Sequence, residues 1–177
     1  MDNKISTRMM AEIGVAVALA VVLNFIKLWR MPQGGSVSLE MLPIFIVTFR
    51  WGIGAGMFSG LAYGLLQLMF GAYIIHPVQL ILDYPLPYMI LGIAGLFNIY
   101  KSGKISSVKL LGAVLTAGLA RLVVHVLSGV IFFSSYAPEG QNVWIYSIIY
   151  NASFLIPTII VNYLAVLIVI KALENNN

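Results

Sequence analysis

The chain has 177 residues, of which 60% are apolar and only 9% are charged, whereas soluble proteins average about 25% charged residues. This composition excludes an ordinary soluble domain and is typical of an integral membrane protein. The net charge of +4 therefore relates to membrane topology and anionic lipid, and it gives no support to a nucleic-acid partner. The absence of cysteine also excludes disulfides, thiolate catalysis and cysteine metal sites.

Six hydrophobic stretches follow one another along the chain, and each predicts a transmembrane helix. They cover residues 9–28, 39–49, 52–71, 78–97, 110–133 and 143–170. A helix needs about 20 apolar residues to cross the hydrocarbon core, so the second stretch is too short unless the segment before it also lies within the membrane. Pro85 and Pro87 interrupt the fourth span, and Pro157 is expected to bend the sixth. We predict an all-α fold, in which residues 1–177 form one membrane domain of six transmembrane helices.

Basic residues are distributed unequally between the two sides of these spans. Two of them, Lys27 and Arg30, fall on the side away from the termini. Seven fall on the side of the termini: Lys4, Arg8, Arg50, Lys101, Lys104, Lys109 and Lys171. Because basic loops stay in the cytoplasm, this distribution predicts that both termini are cytoplasmic and that the protein is a multi-pass protein of the cell membrane.

Five polar or ionisable residues interrupt the apolar spans and are predicted to lie toward the outer leaflet. They are Gln67, Asp83, Arg121, His125 and Asn151, with Arg121 one turn deeper than His125 on the same helix face. A charged side chain in hydrocarbon costs roughly 2.5 to 3.5 kcal/mol, so such groups usually face a cavity, a partner or a ligand. We predict that the five share one site that opens outward.

Simpler structural roles are open for each of these residues. Asp83 could form only an ion pair with Arg121, and His125 could form only a hydrogen bond between helices. Gln67 and Asn151 could act only as interhelical contacts.

Seven aromatic side chains are predicted at the same level: Tyr63, Tyr73, Tyr84, Phe133, Tyr136, Trp144 and Tyr146. An interfacial aromatic belt accounts well for Tyr136 and Trp144. It accounts less well for Tyr84, which adjoins Asp83, and for Tyr146, which lies about a turn and a half from Asn151. A carboxylate among aromatic rings suits a flat organic cation, through charge pairing and cation–π attraction.

Motifs for catalysis and nucleotide hydrolysis are missing from the sequence. There is no P-loop and no Gly-x-Ser-x-Gly turn. The two histidines, His76 and His125, are too far apart for a local zinc motif. We therefore predict no enzyme activity, no metal and no cofactor.

Small residues repeat at four-residue spacing in the first helix, as Gly14 with Ala18 and Ala16 with Ala20. Such stripes let another helix approach closely. They predict either packing within the fold or a docking face for a partner.

Six blocks of sequence carry a resemblance to a known family. They are Gly-Gly-Ser-Val-Ser-Leu-Glu-Met-Leu-Pro at 34–43, Phe-Arg-Trp-Gly at 49–52, Asp-Tyr-Pro-Leu at 83–86, Ala-Arg-Leu-Val-Val-His at 120–125, Ser-Tyr-Ala-Pro-Glu-Gly at 135–140 and Tyr-Ser-Ile-Ile-Tyr-Asn at 146–151. In this order they resemble the thiamine-specific substrate-binding (S) components of energy-coupling factor transporters. The resemblance implies a six-helix subunit of a prokaryotic plasma membrane that captures thiamine from outside. It also implies as partners a membrane scaffold subunit and two cytoplasmic ATPases.

The resemblance also implies roles for individual residues. The candidate substrate-binding residues, from the residues and the resemblance together, are Glu40, Tyr63, Tyr73, Asp83, Tyr84, Arg121, His125, Phe133, Tyr146 and Asn151. Gly14 and Ala18 match the family's docking stripe more closely than Ala16 and Ala20 do. Asp83 stands where the family can have glutamate, and Arg121 stands where it can have lysine.

Two other functions remain open from the sequence. The first is an S component for another vitamin or for a thiamine precursor. The second is a small membrane enzyme or an assembly scaffold, against which the missing nucleophile and metal motifs count.

Overall fold

A computed structural model describes residues 6–101 and 104–175; Lys4, which entered the count of basic residues, lies outside them. The described chain is mainly helical, as predicted, with two short antiparallel hairpins, β1–β2 and β3–β4. The elements are α1 (Thr7–Phe25), β1 (Trp29–Arg30), β2 (Ser36–Val37), α2 (Met41–Trp51), α3 (Ile53–Gln67), α4 (Pro77–Asp83), α5 (Pro85–Met89), β3 (Tyr100–Lys101), β4 (Lys104–Ile105), α6 (Ser107–Phe132) and α7 (Val143–Asn175). Short 3₁₀ helices cover Leu68–Phe70, Ile90–Leu96 and Ser134–Tyr136.

The six predicted transmembrane segments are present in this order. Within the described residues, five helical segments are long and apolar enough to cross a membrane, and α2 is a shorter apolar helix of 11 residues. The fourth crossing consists of α4, α5 and the following 3₁₀ helix. The predicted all-α membrane fold is confirmed.

The segment before α2 folds into the protein as a short strand, Ser36–Val37, followed by a turn at Glu40. Ser38 is fully buried and Glu40 is 3% exposed. Side chains of α7 bind the backbone of this segment: Thr158 donates to the Ser36 carbonyl at 3.3 Å and Asn162 donates to the Ser38 carbonyl at 2.8 Å. Polar groups within a membrane must be satisfied by the protein itself, and α7 meets this need for a segment that has no helical hydrogen bonds.

The fourth crossing is broken where the sequence predicted an interruption. Tyr84 has φ −117° and ψ −77°, and Pro85 starts the second half-helix. Two glycines of α3 let this irregular backbone approach closely. A Cβ on Gly60 would lie 2.0 Å from the Tyr88 carbonyl oxygen, and one on Gly64 would lie 2.5 Å from the Tyr84 carbonyl oxygen. The glycines therefore fix the position of the half-helices that carry Asp83 and Tyr84.

The apolar core fills the half of the bundle nearer the termini. Its fully buried members include Met41, Phe45, Leu91, Leu110 and Val166. This packing closes the interior below the cavity described next.

The two small-residue stripes of α1 face different surroundings. Ala16 is 8% exposed and Ala20 is fully buried in the core, whereas Gly14 and Ala18 are exposed. The expectation that all four residues form a partner-binding face is therefore corrected for Ala16 and Ala20, since they pack within the fold. Gly14 and Ala18 remain candidates.

Candidate functional site

A cavity of about 300 Å³ opens at the end of the bundle away from the chain termini. The end of α1, the β1–β2 hairpin, α4, α6 and α7 all contribute to its walls. Nine of the ten predicted substrate-binding residues line it: Glu40, Tyr73, Asp83, Tyr84, Arg121, His125, Phe133, Tyr146 and Asn151. Gln67 lines it as well. The polar residues of separate helices thus meet in one cavity, as the sequence predicted.

The floor of the cavity is a buried pair of opposite charges. Arg121 Nη2 lies 3.3 Å from Glu40 Oε1, and the two side chains are 5% and 3% exposed. Glu40 also accepts hydrogen bonds from the hydroxyls of Tyr63, at 2.8 Å, and of Tyr88. Arg121 donates to the Tyr88 hydroxyl at 2.7 Å, and its guanidinium lies 4.1 Å from the centre of the Tyr88 ring. Three donors therefore compensate the Glu40 carboxylate.

This arrangement corrects the alternative in which Asp83 forms an ion pair with Arg121. Arg121 is one turn deeper than His125, where it meets Glu40, and its Nε lies 3.4 Å from His125 Nε2. The ion-pair partner of Asp83 is instead His125, with Nδ1 3.7 Å from Oδ1. Glu40 reaches the deeper level because it lies in the buried turn that begins α2.

Tyr63 has a different position from the one predicted. It is fully buried and does not line the cavity, since its hydroxyl donates to Glu40 from behind the floor. Gln67 donates to the hydroxyls of Tyr63 and Tyr88 at 2.7 and 3.1 Å. Tyr63 thus holds the floor in place, and we revise its expected role from contacting a ligand to positioning Glu40.

Asp83 is the carboxylate that remains open to a ligand. Its side chain is 19% exposed, and its Oδ2 accepts a hydrogen bond from Gln79 at 2.6 Å. The 3.7 Å from Oδ1 to His125 exceeds hydrogen-bond distance. A carboxylate with an uncharged donor on one oxygen keeps its negative charge available on the other.

Gln79 keeps Asp83 in this position and was missed by the sequence analysis. It is 1% exposed, its amide nitrogen also donates to the Tyr73 carbonyl at 3.1 Å, and its oxygen accepts from the Ile75 amide at 3.1 Å. The residue is four positions before Asp83, so helical spacing alone could have indicated it.

Aromatic side chains form much of the upper wall of the cavity. The Tyr84 hydroxyl accepts a hydrogen bond from the Tyr73 amide at 2.8 Å, and the Tyr73 and Phe133 rings are 6.4 Å apart. On the other side, the Tyr146 and Tyr150 rings are 6.0 Å apart. Flat ligands can lie against such rings.

The two residues best explained by an aromatic belt differ from each other. Trp144 is 51% exposed and lies outside the cavity lining, so the belt explanation fits it. Tyr136 is exposed as well but also lines the mouth of the cavity.

Residues of α7 complete the wall and hold the β1–β2 turn against it. The Tyr150 hydroxyl accepts from the Gln33 amide at 3.0 Å and donates to the Gly34 carbonyl at 2.9 Å. Asn151, 8% exposed, donates to the Ser147 carbonyl at 2.9 Å. Tyr150 and Ser147 were missed by the sequence analysis, although each lies four residues from a predicted site residue on the same helix.

The cavity is suited to charge pairing, hydrogen bonding and stacking. No cluster of three or more His, Asp or Glu side chains able to hold a metal occurs among residues 6–101 and 104–175. An open carboxylate, a compensated ion pair and aromatic walls together favour a small, flat ligand with a positive charge.

Comparison with known proteins gives consistent matches along most of the chain. Residues 10–177 match the family model described as Thiamine transporter protein (Thia_YuaJ). The chain is 42% identical over 160 residues to the thiamine transporter ThiT of Bacillus subtilis, covering 85% of this chain and 83% of the relative. It is 28% identical over 151 residues to ThiT of Lacticaseibacillus paracasei, covering 79% and 75%. A solved structure of ThiT from Listeria monocytogenes superimposes with a TM-score of 0.83 at 30% identity, covering 93% of each chain.

Proposed function

Since this chain belongs to the thiamine transporter protein family, we propose that it is the substrate-binding membrane subunit of a thiamine uptake system. The observation that carries the proposal is the open carboxylate of Asp83 in an aromatic-walled cavity. Thiamine joins a permanently charged thiazolium ring to a neutral aminopyrimidine ring, so it presents one positive charge and two flat faces.

The residues divide the recognition of such a ligand between them. Asp83 pairs with the thiazolium charge, and the rings of Tyr84, Phe133 and Tyr146 lie against the flat faces. Charge pairing is strengthened because the Asp83 side chain is only 19% exposed, and each cation–π contact adds about 0.5 to 2 kcal/mol. The polar side chains of Asn151 and His125 supply hydrogen bonds to the aminopyrimidine.

The proposal places the cavity on the outer side of the membrane, with both termini in the cytoplasm. The basic residues of the described chain support this orientation: Arg8, Arg50, Lys109 and Lys171 lie at helix ends on the side of the termini, where the positive-inside rule puts the cytoplasm. The cavity therefore takes thiamine from the exterior.

We further propose that the chain is not an enzyme and depends on partners for energy. Its sequence has no P-loop, so ATP hydrolysis must come from cytoplasmic ATPases that act through a membrane scaffold subunit. The exposed Gly14 and Ala18 of α1 are the proposed contact with that scaffold, because small residues allow close helix packing in lipid.

Titration calorimetry of the purified chain with thiamine tests the function. The Asp83→Asn variant keeps the shape of the side chain but removes its charge. We expect its Kd for thiamine to rise at least about a hundredfold, because a tenfold change in Kd corresponds to about 1.4 kcal/mol and the loss of a buried charge pair costs at least about twice that. Glu139→Gln, which neutralises an exposed carboxylate, is the matched control and should bind as the wild type does. Equal affinity of Asp83→Asn and wild type would contradict the role of the carboxylate.

Competition measurements separate thiamine from its precursors. The isolated aminopyrimidine lacks the thiazolium charge, so it should displace thiamine only at much higher concentration. If it binds as tightly as thiamine, the chain is a subunit for a thiamine precursor instead.

A further inference from the structure

His125 lies between Arg121, whose charge is balanced by Glu40, and Asp83, which has no other ion-pair partner among the described residues. Its Nε2 is 3.4 Å from Arg121 Nε, and its Nδ1 is 3.7 Å from Asp83 Oδ1. From α7 it is met by uncharged groups only, the Asn151 amide at its carbonyl and the Phe154 ring at 6.2 Å. Glu40 approaches from the segment before α2, but it is bound to Arg121. Besides burial, the groups that influence the protonation of this imidazole most are therefore Asp83 and Arg121.

The charges that line the cavity leave one negative charge over. Glu40 and Arg121 cancel each other in the floor. Lys27 and Arg30 lie at the exposed mouth, where water and salt screen them. Asp83 remains, and His125 is the basic group that pairs with it. The side chains inside the cavity thus carry a net charge of about −1 with a neutral imidazole and of about 0 with a protonated one.

The contact with Arg121 requires the neutral imidazole. An arginine Nε–H can donate to His125 Nε2 only if that nitrogen keeps its lone pair, which puts the imidazole proton on Nδ1, toward Asp83. A second proton would set two N–H donors against each other at 3.4 Å. The protonated imidazole would also be a cation beside Asp83, so it would occupy the carboxylate that a charged ligand needs.

We propose that His125 sets the charge of the ligand that the cavity accepts, because a proton on His125 and a cationic ring beside Asp83 exclude each other. The inference rests on the proposed function, since it assumes that thiamine is the cation. With a neutral His125 the cavity takes one positive charge from the ligand. With a protonated His125 that charge is already supplied, and a neutral ligand of the same shape is no longer at a disadvantage.

The test compares thiamine with an isosteric analogue in which a neutral thiophene replaces the thiazolium ring. Kd values for both are measured by calorimetry on the purified full chain between about pH 8 and pH 5. As the pH is lowered, thiamine affinity should fall by up to about tenfold per pH unit once the His125–Asp83 pair takes up a proton. The analogue should lose less affinity than thiamine or gain affinity. The ratio of the analogue Kd to the thiamine Kd should therefore decrease by about tenfold or more across the pH range.

The chain offers matched controls, because it contains only two histidines. His76→Asn removes the other histidine, which is exposed and caps α4 with Nδ1; asparagine is also a good N-cap, and this variant should keep the wild-type pH profile. In it, the sole imidazole proton signal in NMR reports His125, which should stay neutral to lower pH when thiamine is bound. His125→Gln cannot take up a proton and should show a constant selectivity ratio.

The possible results are distinct. Absence of thiamine binding at every pH would refute the proposed function itself. Tight binding with the same selectivity ratio at all pH values in the wild type would overturn only the role of His125. If His125→Gln fails to fold, the Kd ratio of the wild type and the NMR titration of His76→Asn still test the inference. A Kd ratio that does not change with pH, or a His125 titration that does not shift when thiamine is added, contradicts it.

Discussion

At the scale of single residues, the two carboxylates of the cavity have different surroundings and therefore different roles. Glu40 is 3% exposed and bound by Arg121, Tyr63 and Tyr88, whereas Asp83 keeps one oxygen clear of any hydrogen bond from His125. A buried charge that loses its partner is strongly destabilising. Loss of the Glu40 charge should therefore mainly reduce the stability of the protein, and loss of the Asp83 charge should mainly reduce ligand affinity.

We expect Glu40→Gln to destabilise the protein by about 3 to 5 kcal/mol, because it leaves Arg121 as an unpaired buried charge. Asp83→Asn should change the thermal unfolding midpoint far less. Thermal unfolding of both variants in the same detergent measures the difference. An equal loss of stability in the two variants would mean that Asp83 is also part of the structural network.

At the scale of elements, the position of α4 and α5 depends on the glycines of α3. Gly60 is buried, and an added Cβ would lie 2.0 Å from a backbone carbonyl, which cannot move aside as a flexible side chain can. Gly54 lies in the same helix with open space around it. The two positions differ in packing rather than in secondary structure.

Gly60→Ala should destabilise the protein by about 1 to 3 kcal/mol or more, since it forces α5 away from α3. It should also weaken thiamine binding, because Asp83 and Tyr84 move with the half-helices. Gly54→Ala should be neutral or slightly stabilising, as alanine favours a helix over glycine. Measured unfolding and Kd values that are alike for both variants would show that the close approach is not required.

At the scale of the whole molecule, the binding cavity and the proposed docking face lie on separate surfaces. Gly14 and Ala18 are exposed on α1, and neither lines the cavity. Glu12 accepts a hydrogen bond from Trp51 Nε1 at 2.7 Å and pairs with Arg50 at 2.7 Å. These contacts tie α1 to the corner between α2 and α3.

Ala18→Leu should therefore reduce co-purification with the scaffold and ATPase subunits by about tenfold or more, because a large side chain prevents close helix approach. Thiamine affinity of the isolated variant should stay unchanged. Thr116→Leu, which adds the same side chain to an exposed position of α6, is the control and should keep the complex. Normal assembly of Ala18→Leu would place the scaffold contact elsewhere.

The sequence allowed prediction of the membrane fold and of most of the cavity, for physical reasons that differ from residue to residue. Asp83, His125 and Asn151 could be grouped because polar residues in apolar helices have few alternatives to a shared cavity. The partner of Arg121 could not be predicted, since Glu40 reaches it from the turn before α2, whose path has no helical period. Spacing alone could not separate Ala16 and Ala20 from Gly14 and Ala18, because it does not say which side of a helix faces the core; only the family resemblance favoured Gly14 and Ala18.

The packing of the lower half of the bundle determines how a captured molecule can travel. Below the Glu40–Arg121 floor, fully buried side chains such as Met41, Phe45 and Leu110 belong to one packed core of the described residues. A solute that does not displace this core departs through the mouth of the cavity, which is the entrance it used. Net import consequently requires that this entrance be presented to the opposite compartment, by a change in the orientation of the protein relative to the bilayer or by dismantling of the floor.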